Sequence, residues 1–240
     1  MTAKKYSLII DTSTKESLIG IFNNSKVVDE NIWFSNNNES RTLLPNLKKM
    51  IESNDITIRN IKEIYTVIGP GGFSSLRIGM SIAKGLGITN NLKLIPIPSL
   101  LISGYEYLDK NTKILSILKC SKTTFYIKDY TDLSFDKINN QTDLTDFEVV
   151  ESDQLNYFVE NNYLIVTYDK EVLKALDNKL GNKVRKTKNR IDSIISLGKL
   201  IKSKYKNIST ISINPIYANS GQIESALKVK EKGVKNWNKR

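Results

Sequence analysis

Gly69-Pro70-Gly71-Gly72-Phe73-Ser74-Ser75-Leu76-Arg77-Ile78-Gly79 is the stretch on which the fold turns. The apolar run Ile64 to Ile68 precedes it and reads as a buried strand. Ser75 to Gly87 follows and reads as a helix. Three glycines and a proline therefore form a tight strand-to-helix turn, with Ser74 or Ser75 as the expected N-cap. A helix start of this kind exposes backbone N–H groups and attracts anions. No Gly-Lys-Ser/Thr follows, so it is not a Walker loop. Two readings stay open: a phosphate site and a purely structural turn.

Upstream, Tyr6 to Ile10 reads as a buried strand ending at Asp11, followed by strands over Ser17 to Phe22 and Val27 to Phe34. Leu43, Leu44, Leu47, Met50 and Ile51 then recur at helical spacing. Pro45 lacks an N–H, so it is expected in the first turn of that helix or at a kink. Leu94 to Ile97 is a further strand. Three strands, a helix, a strand, a helix and a strand is the order of a ribonuclease-H-like half, and actin-like proteins use two such halves. In the second half, Ile114 to Leu118 and Thr124 to Lys128 read as a hairpin. Ser152 to Glu160 and Lys170 to Leu180 read as helices around a strand over Tyr163 to Thr167. Ser193 to Tyr205 places Ile194, Ile195, Leu197, Leu200 and Ile201 on one helical face. The expected fold class is therefore α/β, actin-like (ASKHA), with two ribonuclease-H-like lobes and a degenerate second one. Residues 1–101 are expected to form the first lobe and 102–219 the second. Residues 220–240 read as a basic, mobile tail short of apolar anchors.

Composition narrows the chemistry. The chain has 240 residues, enough to bury a core without covalent staples. It has one Cys and no His. An internal disulfide, the usual structural zinc site, and Ser-His-Asp or Cys-His catalysis are excluded. The longest apolar run near the start is Leu8-Ile9-Ile10, too short for a secretory or membrane-spanning segment. That reading expects a cytoplasmic protein. The net charge of +11 is localised: residues 1–182 carry 21 Lys+Arg against 22 Asp+Glu, whereas residues 183–240 carry 15 against 3. Such a region suits a polyanion, with RNA favoured over membrane, and equally suits a solvated tail. Its candidate RNA-binding residues are Lys183, Arg185, Lys186, Lys188 and Arg190, then Lys228, Lys230, Lys232 and Trp237.

Two further motifs bear on function. Gly79, Ala83 and Gly87 fall at i, i+4 and i+8, so one face of the second helix is nearly bare. Because Gly weakens a helix by about 1 kcal/mol relative to Ala, something is expected to pack close there. That can be the chain's own sheet or a helix of another subunit. On the subunit reading the contact residues are Leu43, Leu44, Leu47, Met50, Ile51, Leu76, Gly79, Met80, Ala83 and Gly87. The second motif is Asp11-Thr12-Ser13 at the end of the first strand. With Gly69, Gly71, Gly72 and Arg77 it forms a candidate phosphate or turn site. In actin-like ATPases an acidic residue here helps hold metal and phosphates, but the Gly that follows it there is replaced by Thr12-Ser13-Thr14. A ribonuclease-H-like nuclease would need a second carboxylate after Ile68, where Gly69 stands. The bland reading has Asp11 bonding turn amides.

Ile10-Asp11-Thr12-Ser13, Ser40-Arg41-Thr42-Leu43-Leu44-Pro45, Gly69 to Gly79 with Ala83-Lys84-Gly85, and Pro98-Ser99-Leu100 occur in this order in a known family. The chain resembles the bacterial TsaB (YeaZ) family over roughly residues 6–101. Beyond that, Asn214-Pro215-Ile216-Tyr217 is similar to the family's closing strand. It departs at Glu39, where the family usually has His, at Ser75, where Gly is usual, and at Lys119-Cys120-Ser121, where an Asp-Ala-Arg turn is common. The resemblance implies a non-catalytic dimerisation subunit of the machinery that adds threonylcarbamoyl to the adenosine beside the anticodon of tRNA. It implies a TsaD-type catalytic partner, a TsaE-type ATPase partner and tRNA contact through the complex, while the apolar face of the Leu43–Ile51 helix separately gives an expectation of weak self-association, a homodimer, when alone. It places ATP and a metal ion in those partners, with no cofactor on this chain and no catalytic or metal-ligating residue of its own. The alternatives are a small actin-like ATPase or sugar kinase, and a free-standing RNA-binding module.

Overall fold

The structure, a computed structural model, describes residues 5–36, 38–107, 112–131, 145–180, 183–205 and 213–218, without the side chains of 177–180. The expected tail, with Lys228, Lys230, Lys232 and Trp237, lies outside the described residues.

The first sheet runs β3-β2-β1-β4-β5. Its strands are β1 Tyr6–Asp11, β2 Glu16–Asn23, β3 Lys26–Phe34, β4 Ile61–Gly69 and β5 Lys93–Pro98. β1, β2 and β3 form an antiparallel meander, and β4 and β5 add in parallel. The second sheet has β6 Ile114–Lys119, β7 Thr124–Asp129, β8 Glu148–Glu151, β9 Leu164–Thr167 and β10 Val184–Lys186. Its order, β10-β9-β6-β7-β8, repeats the first sheet's order read from the other edge. Both lobes therefore have the ribonuclease-H-like arrangement. The second is reduced in the length of its strands and keeps all five. β8 and β10 went unread in the sequence because runs of four and three residues are too short to show a period.

Helices α1 Glu39–Ser53 and α2 Phe73–Asn90 cover the outer face of the first sheet. Their packing cluster holds Leu8, Ile10, Leu43, Leu47, Met50 and Ala83. α4 Leu155–Glu160 and α5 Lys170–Leu180 cover the outer face of the second sheet. Between the sheets lie α3 Ser99–Gly104 and α6 Arg190–Lys204. The largest apolar cluster joins both lobes there, from Ile9, Tyr65 and Ile97 through Leu101 and Ile194 to Tyr126 and Val166. α6 was expected in the second lobe, yet it packs against β4 and β5 of the first. Gly198 makes this fit, since a Cβ there would run into the Tyr65 ring. β1–β5 thus form one sheet and β6–β10 the other, and the chain returns to the first lobe with α6. Ile216 N–H then donates to Ile68 O at 2.7 Å, so residues 213–218 also lie on the first lobe.

Some local expectations are revised. Pro45 sits in the second turn of α1. The N-cap of α2 is Gly72, with no side-chain cap, while Ser75 Oγ donates to Gly72 O. Among the described residues no helix is long and apolar enough to cross a membrane.

Candidate functional site at the seam between the lobes

The two turns singled out in the sequence meet each other. β1 delivers Asp11-Thr12-Ser13 to the first loop, and β4 delivers Gly69 to Gly72. Gly69 has φ +107°, a conformation suited to glycine, and this turns the chain toward the β1 end. Gly72 N–H donates to Ser13 O at 2.9 Å, and Thr12 Oγ1 donates to Ser75 O at 2.7 Å. A Cβ on Gly71 would collide with Ser13 O, and one on Gly79 with Thr12 Oγ1. The bare face of α2 is therefore an intramolecular fit. Gly79 sits on the β1 turn, Ala83 lies in the core, and Gly87 packs on Leu94.

Asp11 is fully buried. Its Oδ1 accepts from Ser13 N at 2.9 Å and from Ser13 Oγ at 2.6 Å. Its Oδ2 accepts from Arg190 Nε at 2.8 Å and also faces Arg190 Nη2. Arg190 Nη1 donates to Glu16 O at 2.9 Å. The guanidinium lies 4.5 Å from the centroid of the Tyr168 ring, and the Tyr168 hydroxyl shares a 2.8 Å hydrogen bond with Ser13 Oγ. Burial works against charge on Arg190, but Asp11, with Tyr168 and Glu16 adding, together outweigh it and the pKa is raised. Burial pushes the Tyr168 hydroxyl well above its ordinary value, with Asp11 adding to the effect. The pair is thus an arginine cation on a carboxylate, with a neutral phenol closing one side.

At the rim, Lys15 Nζ pairs with Glu171 Oε2 at 2.9 Å and Lys170 Nζ with Glu16 Oε1 at 2.6 Å. The hydrogen bond from Lys15 holds Glu171 below its ordinary carboxylate range. Asp169, after β9, accepts from Lys119 N at 3.0 Å and Glu171 N at 2.9 Å. Burial nevertheless raises its pKa. Among the described residues no three His, Cys, Asp or Glu side chains are gathered as metal ligands would be.

The other expected site residues scatter. Arg77 points away from the turn, 3.8 Å above the exposed Phe73 ring, with Nε donating to Tyr217 Oη at 3.2 Å. Leu43, Leu47, Met50, Leu76, Gly79, Met80, Ala83 and Gly87 are buried in the first lobe itself. Leu44 is exposed and Ile51 half-buried. The outward face of the two helices is instead Leu44, Ser81, Gly85 and Ile88, the last 83% exposed. Lys183, Arg185, Lys186 and Lys188 are exposed along edge strand β10. Arg190 is not part of that surface, because its side chain is 10% exposed and bonded to Asp11. Sequence reading missed Tyr168, Glu16, Asp169 and Glu171, which carry no motif. It could have separated Arg190: Asn189 caps α6 with its side chain accepting from Asp192 N, so Arg190 is a cation at the positive end of a helix.

Two lobes of one strand order, joined by a middle helix pair and meeting at the β1 turn, define an actin-like protein. A family model described as TsaD, tRNA N6-adenosine threonylcarbamoyltransferase, matches residues 34–145. The tRNA threonylcarbamoyladenosine biosynthesis protein TsaB of Buchnera aphidicola is 32% identical over 98 residues, 40% of this chain and 44% of that protein. The Escherichia coli protein of the same name is 24% identical over 125 residues, 51% of this chain and 54% of that one. The chain thus spans about half the length of the curated relatives it matches. The solved structure of YeaZ from Pseudomonas aeruginosa shares the fold with a TM-score of 0.59 at 12% identity, over 89% of this chain and 100% of that one. These matches make the chain similar to TsaB proteins over part of its length and similar in fold to YeaZ.

Proposed function

We propose that this chain is a non-catalytic subunit of the complex that builds threonylcarbamoyladenosine in tRNA. One observation carries the non-catalytic part. The carboxylate that actin-like ATPases turn toward metal and phosphate is here fully buried, and all its bonding positions are met by Ser13 and Arg190. The loop that would cradle phosphate is closed down on the same turn, with Gly72 N–H given to Ser13 O. The chemistry then belongs to a TsaD-type partner, with ATP and metal held there and in a TsaE-type subunit. The names carried by the relatives support a place in tRNA threonylcarbamoyladenosine biosynthesis. The outward α1–α2 face around Leu44, Gly85 and Ile88 is the contact surface this reading favours, since exposed apolar positions cluster there.

Two measurements test the proposal. Mixed with a TsaD-type protein, the chain should form a defined complex by light scattering. Alone, it should not hydrolyse ATP. ATP turnover by the pure chain that disappears in Asp11→Ala would overturn it. A second reading, RNA contact along β10, rests on the exposed Lys183, Arg185, Lys186 and Lys188. It expects tRNA affinity to the complex to fall more steeply with salt in the native chain than in a four-site Gln variant.

A further inference from the structure

The two lobes of this chain are tied by the protein's own cation. Arg190 starts α6, the helix lying between the sheets. A positive side chain there opposes the helix dipole, whereas Lys202 near the other end agrees with it and pairs with Glu63 at 2.6 Å. Arg190 is also taken almost fully out of water, which disfavours its charge. Both costs point to a compensating contact, and one arm of it, the Tyr168 ring, reaches across the seam. Nε and Nη2 meet Asp11 of β1, and Nη1 meets the carbonyl of Glu16 at the start of β2. The guanidinium face meets Tyr168, which follows β9 of the other lobe. Tyr168 closes the circuit through Ser13 back to Asp11. The ends of β1 and β9 and the start of β2 thus converge on one arginine. Two rim ion pairs, Lys15–Glu171 and Lys170–Glu16, cross the same seam beside it.

We propose that Arg190 is an internal counter-ion that locks the two lobes at one closure angle without any ligand in the cleft. The lock follows from the seam's geometry, whether or not the chain acts in tRNA modification. A lobe pair held this way has a fixed arrangement, because the carboxylate that could answer a cation brought by a ligand is already neutralised and walled in. The rim pairs are exposed and contribute little to the lock. Arg190, Asp11 and Tyr168 carry it.

The experiment reads the interlobe distance directly. With Cys120→Ser, spin labels go on Lys48→Cys of α1 and Glu160→Cys of α4, both exposed and on opposite lobes. Pulsed dipolar spectroscopy of the native background should give one narrow distance, unchanged by magnesium with a non-hydrolysable ATP analogue. Arg190→Met should broaden or lengthen the distribution in protein that keeps its far-ultraviolet circular dichroism. Arg190→Lys retains charge but loses the fork to Glu16 O and the flat face on Tyr168, and should be intermediate. Tyr168→Phe keeps the ring and cuts the link to Ser13, and should broaden the distribution least. A native-width distribution in folded Arg190→Met overturns the proposal. If that variant fails to fold, a native-width distribution in Arg190→Lys does so. A native distance that shifts with the nucleotide analogue overturns it as well.

Discussion

The two lobes share one strand order but end their first strands differently. β1 of the first lobe ends in Asp11, fully buried, with its charge answered by Arg190 from a distant helix. β6, its counterpart in the second lobe, ends in Lys119, whose ammonium donates to Lys122 O and lies 4.2 Å from the Phe125 ring. The second lobe's carboxylate near this level is Asp169, just after β9, whereas β4 of the first lobe ends in Gly69. Asp169 is answered by two backbone amides of its own lobe. One lobe thus answers its buried charge with a side-chain cation from a helix far along the chain, and the other with backbone amides. The same topology supports either choice, because the fold fixes where strand ends lie and the side chains fix what they bind.

Arg190→Met should break this contrast most severely. It leaves Asp11 buried without its cation, so unfolding in denaturant should show a loss of about 3–5 kcal/mol. Lys119→Met at the matching place should cost only about 1 kcal/mol, the worth of a half-buried cation over a ring. Equal losses would mean that the two strand ends are energetically alike. Next comes Gly79→Leu, which forces a side chain into Thr12 and the β1 turn. Overpacking of this kind should lower stability by about 1–3 kcal/mol, seen as a reduced melting temperature. An unchanged melting temperature would mean that the α2 face is not packed against β1.

Glu171→Gln probes the rim. Exposed pairs are worth at most about 1 kcal/mol and are screened by salt. Its folded pKa is depressed below the ordinary 4.5, so the native state binds fewer protons. The stability it adds is present above pH 4.5 and is lost as pH falls through the folded value. The Gln variant should therefore lose less stability than the native chain on acidification, measured by melting temperature at low salt. Asp169, with its pKa raised by burial, acts in the opposite sense: its charge lowers stability as pH rises from 3.8 through its folded value. Ile88→Arg should have the smallest effect on stability, within about 0.5 kcal/mol, because the side chain is 83% exposed. In the same variant the proposed TsaD-type complex should fail to form. Retained binding would move the contact surface away from the outward face of α2.

Most of the first lobe was legible because its strands are long and its turn chemistry is local. Ile64 to Ile68, the glycines after it and the apolar period of α1 and α2 each carry their signal within a dozen residues. The second lobe's order was only partly legible, since β8 and β10 are shorter than any period that could reveal them. The candidate site divides the same way. Asp11 and the glycine loop could be marked from sequence, since a carboxylate at a strand end and a glycine cluster are local patterns. Which way α2's small face looks could not be marked, because own sheet and foreign helix demand the same small residues. Nor could the fate of Arg190, which looks like one more member of a basic run in Lys183-Val184-Arg185-Lys186-Thr187-Lys188-Asn189-Arg190. Sequence counts its charge; only the return of α6 between the sheets sets that charge on a carboxylate 179 positions away. Pairing at that range is decided by where packed elements bring groups together, and no local propensity encodes it.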